Sequence, residues 1–186
     1  MRNLLLTLRF HGAAFHGSAI QPNAPTVQGV LQPALERLAG EPLALKCCSR
    51  TDAGVHARVF CVSVRTACRI PCERMIPALN AALPEAMAVT ACREAPEDFH
   101  ARYSCKGKRY VYRIHNSAVR DPFLADRAWR ISRPLNEERL NREASAFLGR
   151  HDFSSFCAAG GGVEDHVREM FTSRVYREGE LVLFEI

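Results

Sequence analysis

The sequence predicts an α+β fold: two ferredoxin-like α/β halves sharing a mainly antiparallel sheet, with the second half truncated. Three observations lead there. From Asn3 to Arg93 the pattern reads strand, helix, strand, strand, helix, strand, which is the order of a split β-α-β unit. A second set of strands with one well-capped helix starts near Lys106. The chain then stops on Ile186, the last residue of an apolar strand pattern, where a complete domain seldom ends. The expected division is an N-terminal α/β domain over 1–105 and an incomplete C-terminal α/β domain over 106–186. A chain of 186 residues is long enough for one large core or two small ones.

Asn3 to Phe10 alternates around Leu4, Leu6, Leu8 and Phe10, as a strand with one buried face does, and His11-Gly12 ends it. A polar loop through Gln21-Pro22-Asn23-Ala24-Pro25 leads to Thr26, which can cap a helix from Val27 to about Ala39, with Gly40 as the stop. Pro33 removes one hydrogen bond of that helix and crowds the preceding turn, which predicts a kink or a shorter helix. Leu43 to Cys48 reads as a strand. Arg58 to Arg65 reads as another, with Val59, Cys61 and Ser63 on one face and Phe60, Val62 and Val64 on the other. Pro71 to Leu83 is predicted helical, with Pro71 near the first turn, and Ala86 to Arg93 completes the first set as a strand.

In the second set, Lys108 to His115 is a predicted strand with Tyr110, Tyr112 and Ile114 on one face. Asn136 to Gly149 has every mark of a helix: an Asn cap, acids in the first turn, apolar Leu140, Ala144, Phe147 and Leu148, then Gly. His151-Asp152-Phe153 reads as the turn leaving that helix rather than as a proton-transfer pair, because adjacent side chains rarely face one another. Gly160-Gly161-Gly162 lacks the Lys-Ser/Thr partner of a phosphate cradle and reads as a loop. Thr172 to Tyr176 and Leu181 to Ile186 form a predicted hairpin around Glu178-Gly179.

The apolar fraction of 47% and the charged fraction of 24% are those of an ordinary globular protein. No run of about 18 apolar residues exists to span a membrane, and the N-terminus lacks the apolar core and cleavage site of a signal peptide. Eight cysteines without a Cys-x-x-Cys pair point to free thiols in a reducing cytoplasm and to no metal site, with Cys61 and Cys92 as buried small hydrophobes. The net charge is +5. From His100 to Arg133 the basic residues Arg102, Lys106, Lys108, Arg109, Arg113, Arg120, Arg127, Arg130 and Arg133 face only Asp121 and Asp126. Tyr103, Tyr110, Tyr112, Phe123 and Trp129 are interleaved with them. That mixture suits phosphate contact with base stacking, and equally a solvated face over core-packed tyrosines.

Asp52 lies between the two middle strands of the first set, in Ser49-Arg50-Thr51-Asp52-Ala53-Gly54-Val55-His56-Ala57. Composition alone makes it a turn residue, and Arg50 either a surface cation or a partner for Asp52 or an RNA phosphate. The stretch Arg50 to Ala57 resembles the signature of the tRNA pseudouridine synthase A family. So do Gln21-Pro22-Asn23, Thr26-Val27-Gln28-Gly29-Val30-Leu31, Ala78-Leu79-Asn80-Ala81-Ala82-Leu83-Pro84, Phe99-His100-Ala101-Arg102-Tyr103-Ser104, Lys108-Arg109-Tyr110-Val111-Tyr112-Arg113 and His151-Asp152-Phe153-Ser154-Ser155-Phe156, in family order.

The resemblance implies isomerisation of uridine to pseudouridine in the anticodon stem-loop of tRNA, at positions 38, 39 and 40, with no cofactor and by a homodimer. It maps the catalytic carboxylate onto Asp52, leaving open attack on the sugar, attack on the base, or stabilisation of the broken-bond intermediate. It gives Arg50 the flipped nucleotide or the backbone, and Tyr110 stacking on the uracil with help in removing the carbon-bound proton. Ser18 and Ala19 stand where the family usually has Trp-Gln. The family also continues past Ile186 with a strand and a helix that supplies a basic partner for the catalytic Asp, so the chain is expected to be a C-terminally short member. The alternatives are a homologue that binds RNA without catalysing, and a small-molecule enzyme of the same architecture, for which no motif is present.

Overall fold

The computed structural model describes residues 1–157 and 165–186; the glycine run at 160–162 lies outside them. The chain divides into two compact units, Met1–Lys106 and Gly107–Ile186, and the architecture is mixed α/β.

The first unit is a four-stranded sheet carrying two helices. Its elements are β1 (Arg2–Phe10), α1 (Val27–Ala39), β2 (Lys46–Cys47), β3 (Ala57–Thr66), α2 (Cys72–Ala82) and β4 (Met87–Ala95), and the strands lie in the order β2-β3-β1-β4. All pairings are antiparallel, Leu4 standing opposite Val64 on one side and Glu94 on the other. The alternation of β1 puts Leu4, Leu6 and Leu8 on one face, fully buried with Phe60, Val62 and Val64 of β3. Leu31 and Leu35 of α1 and Met75 and Leu79 of α2 close over them. Each such side chain contributes roughly 1.5–3 kcal/mol by leaving water. The other face of the sheet holds Ser63, whose hydroxyl accepts from the Ala101 amide at 3.0 Å, so this buried polar group is satisfied by the segment that follows β4.

Several expectations are corrected here. The first helix is not shortened at Pro33. The Thr26 hydroxyl accepts from the Gly29 amide at 3.1 Å, Gly40 closes the other end, and four buried side chains hold the helix through the lost hydrogen bond. The strand expected over 43–48 shrinks to two residues, because Leu43 and Leu45 turn into the core while the Leu43 amide and carbonyl bond the side chains of Glu36 and Gln32. Cys61 and Cys92 are half-buried rather than buried: Cys61 lies on the face away from the helices and Cys92 on an edge strand. Burial still pushes the Cys92 thiol up to about 12, with Cys72 beside it, and the Cys47 thiol up to about 11.

The second unit contains β5 (Val111–His115), β6 (Trp129–Arg130), α3 (Glu137–Ala144), β7 (Gly149–Asp152), β8 (Val167–Met170), β9 (Arg174–Glu178) and β10 (Leu181–Glu185). One sheet has the order β6-β5-β10-β9, with β6 parallel to β5 and the other pairs antiparallel, and β7 pairs with β8 in a separate ribbon. The β9–β10 hairpin turns at Gly179. Glu185 of β10 is buried and bound by Arg109 at 2.7 Å and Arg174 at 2.8 Å; hydrogen bonds from these two guanidinium groups hold its carboxyl below the usual carboxylate range. The predicted helix over 136–149 ends earlier. After Ala144 a single tighter turn, Ser145–Phe147, leads into β7. Phe147 packs against Phe153 and Phe156, with ring centres 6.2 and 5.8 Å apart, a cluster assembled from beyond the helix. Residues 151–152 belong to β7 rather than to a helix-exit turn, and Asp152 turns away from His151 to accept from the Ser154 amide and hydroxyl.

Candidate active site

The chain from Cys48 to His56 links β2 to β3 and has no regular structure of its own. Its position is fixed by the segment from Gly12 to Ser18. The Ser18 amide donates to the Thr51 carbonyl at 3.0 Å and the Thr51 amide donates to the Ser18 hydroxyl at 2.7 Å. Further along, the Gly54 amide donates to the Phe15 carbonyl at 3.3 Å, and the Gly12 amide to Nδ1 of His56 at 3.0 Å. The two segments approach too closely for side chains at two positions. A Cβ at Gly12 would lie 2.2 Å from the Val55 backbone, and one at Gly17, where φ is 85°, would lie 2.7 Å from the Thr51 carbonyl oxygen. Phe15 and Ser18 are buried, which anchors the holding segment to the unit's interior.

This stitching leaves Asp52 exposed at the rim of an open cleft of about 240 Å³, lined by His16, Gly17, Ala19, Gln21, Arg50, Thr51, Asp52 and Ala53. Of the residues singled out from sequence, Arg50 and Asp52 are brought together in this one cleft. Both are exposed, and among the described residues they form no ion pair with each other. A carboxylate and a guanidinium held on one loop, with solvent access, suit a nucleotide: the cation can meet a phosphate and the carboxylate a sugar or base. The Thr51 hydroxyl between them is buried and has no hydrogen-bond partner among the described residues.

Tyr110 belongs to the second unit. Its backbone exchanges two hydrogen bonds with Ile186, at 2.8 and 3.0 Å, which extends the β5–β10 pairing by one step, and its side chain is 46% exposed. Tyr112 is also exposed and stacks on its cross-strand partner Phe184, with ring centres 6.0 Å apart. The basic and aromatic segment is largely at the surface: Tyr103 in the first unit, and Phe123 and Trp129 in the second, are among its most exposed side chains. Arg109, Arg127 and Arg130 are already engaged, by Glu185, Asp126 and the Ala118 carbonyl.

The residues that hold the Asp52 loop were not marked as a group by the sequence. Gly12, Phe15, Gly17 and Ser18 lie more than thirty positions before it, and the one local signal available for them is the pair of glycines, Gly12 and Gly17, in a short connecting stretch.

The chain belongs to the tRNA pseudouridine synthase family, whose sequence pattern matches residues 7–104 and so takes in the whole cleft. The likeness to individual members runs the length of the chain. It is 38% identical over 186 residues to the tRNA pseudouridine synthase A of Thermoanaerobacter sp. strain X514, with 100% of this chain and 76% of that protein covered. The tRNA pseudouridine synthase A of Moorella thermoacetica is 42% identical, over 98% of this chain and 75% of its own length. That of Halalkalibacterium halodurans is 41% identical, over 100% of this chain and 71% of its own.

Proposed function

We propose that this protein isomerises uridine to pseudouridine in tRNA, with Asp52 as the catalytic carboxylate. The observation that carries this reading is the placement of Asp52: exposed at a cleft, beside Arg50, on a loop held from outside by four backbone and side-chain bonds, within the stretch that matches the family. The reaction breaks the bond from the ribose carbon to a uracil nitrogen, makes one to a uracil carbon, and moves the displaced proton from that carbon to the nitrogen. Atoms and electrons balance without a redox partner. Asp52 attacks the sugar or the base, or balances charge while the base turns. Arg50 holds the flipped nucleotide or its phosphate. Tyr110 stacks on the uracil and assists removal of the carbon-bound proton.

The finer features of the reading are the anticodon arm as target, a homodimer gripping the RNA from both subunits, a cytoplasmic location, and domains over 1–105 and 106–186. The architecture proposed is two ferredoxin-like halves sharing a sheet. The β2-β3-β1-β4 order supports the ferredoxin-like reading of the first half. No helix among the described residues is long and apolar enough to cross a membrane. The test is tritium release from tRNA labelled at the uridine carbon that loses its proton, with Asp52→Ala as the control. Release that vanishes in the variant supports the enzyme. Folded protein that binds tRNA and releases nothing supports an RNA-binding role instead.

A further inference from the structure

We propose that Ser18 is a positioning residue for Asp52, acting through its hydroxyl as a stand-in for a backbone acceptor. The inference rests on the catalytic reading of Asp52 given above. Ser18 lies beside Thr51, and the two are joined by two hydrogen bonds. The Ser18 amide donates to the Thr51 carbonyl at 3.0 Å. In an ordinary antiparallel pair the return bond would go from the Thr51 amide to the Ser18 carbonyl. That carbonyl instead serves the first turn of α1, where it accepts from the Gln28 amide at 3.0 Å. The Thr51 amide turns to the Ser18 hydroxyl, at 2.7 Å.

Ser18 therefore bonds two structures at once: its carbonyl holds the start of a capped helix, and its amide and hydroxyl hold both sides of Thr51, the residue before Asp52. Its 2% exposure fixes the side chain where no water competes for the bond. The Gly17 carbonyl accepts from the Val27 amide at 3.1 Å, so the same first turn of α1 secures both Gly17 and Ser18. Without the hydroxyl, the Thr51 amide loses its acceptor, and the Arg50–Thr51 peptide that leads into Asp52 is held on that side only through the neighbouring bond from the Ser18 amide to the Thr51 carbonyl. Productive geometry tolerates displacements well under an ångström, so a loosened peptide lowers turnover without removing any group that touches the RNA.

The experiment compares wild type, Ser18→Ala, Ser18→Thr and Asp52→Ala by tritium release from labelled tRNA, with thermal unfolding and hydrogen exchange at the Thr51 amide. Ser18→Ala is expected to keep KM for tRNA and lose about tenfold or more in kcat. Its Thr51 amide should exchange much faster than in wild type. Ser18→Thr, which retains the hydroxyl, should recover most of both. Unchanged kcat in Ser18→Ala, or equal losses in the Ala and Thr variants, overturns the proposal. If Ser18→Ala does not fold, Ser18→Cys, of similar size but a weak acceptor, carries the same expectations. No release from wild type, or full release from Asp52→Ala, overturns the catalytic reading and with it the positioning role. In that case exchange at Thr51 still decides the bond itself, and slow exchange in Ser18→Ala overturns it.

Discussion

Replacing Asp52 with asparagine keeps the size of the side chain and removes its charge and its power to form an ester. Because the side chain is exposed and makes no internal hydrogen bond among the described residues, the fold should be indifferent to the change. Turnover is expected to fall by at least about a hundredfold while tRNA binding and melting temperature stay near wild type. Full turnover in Asp52→Asn would remove the carboxylate from the mechanism. Gly17→Ala tests the loop from the other side. Its methyl group meets the Thr51 carbonyl oxygen in a backbone conformation that strains any L side chain, so a stability loss of about 2 kcal/mol is expected by denaturant titration, together with lower kcat. At this scale the sequence was legible where chemistry is local. Arg50 and Asp52 share a cleft because they are two residues apart on one loop. The partners of that loop were not legible, because Gly12, Phe15, Gly17 and Ser18 reach it only through the fold.

Among the elements, α1 joins a buried interior face to a capped first turn. Thr26→Ala removes the cap bond to Gly29 and should cost about 1 kcal/mol in urea unfolding. Because that turn also receives the carbonyls of Gly17 and Ser18, a drop in kcat should accompany it. In the second unit the β5–β10–β9 sheet carries a pH-dependent component at Glu185. The two arginines lower its pKa in the folded state relative to the ordinary carboxylate, so its contribution is complete above the ordinary carboxylate range and is lost as pH falls through the lowered value. Glu185→Gln should therefore weaken the unit at neutral pH and flatten the acid side of its stability profile, as measured by urea unfolding at stepped pH. The long helices and β1 were readable from periodicity and caps. The early end of α3 was not, because Phe147 is drawn off the helix by Phe153 and Phe156. The β7–β8 ribbon was missed for a similar reason: pairing between distant short segments leaves no local pattern.

For the molecule as a whole, a net charge of +5 with exposed arginines implies that tRNA affinity falls steeply with salt. Arg120 and Arg133 are exposed and form no ion pair among the described residues. Replacing each with alanine should lower the slope of log affinity against log salt by about one for every phosphate contact removed. An unchanged slope would place the RNA elsewhere on the surface. The order of the first sheet has a consequence for how the chain is made. β1 leaves the ribosome before its two neighbours, β3 and β4, so Asn3 waits for Arg65 and then for Ala95. Until β4 emerges, the leucine face of β1 has no finished sheet to join, and the nascent chain carries that apolar face without its strand partners.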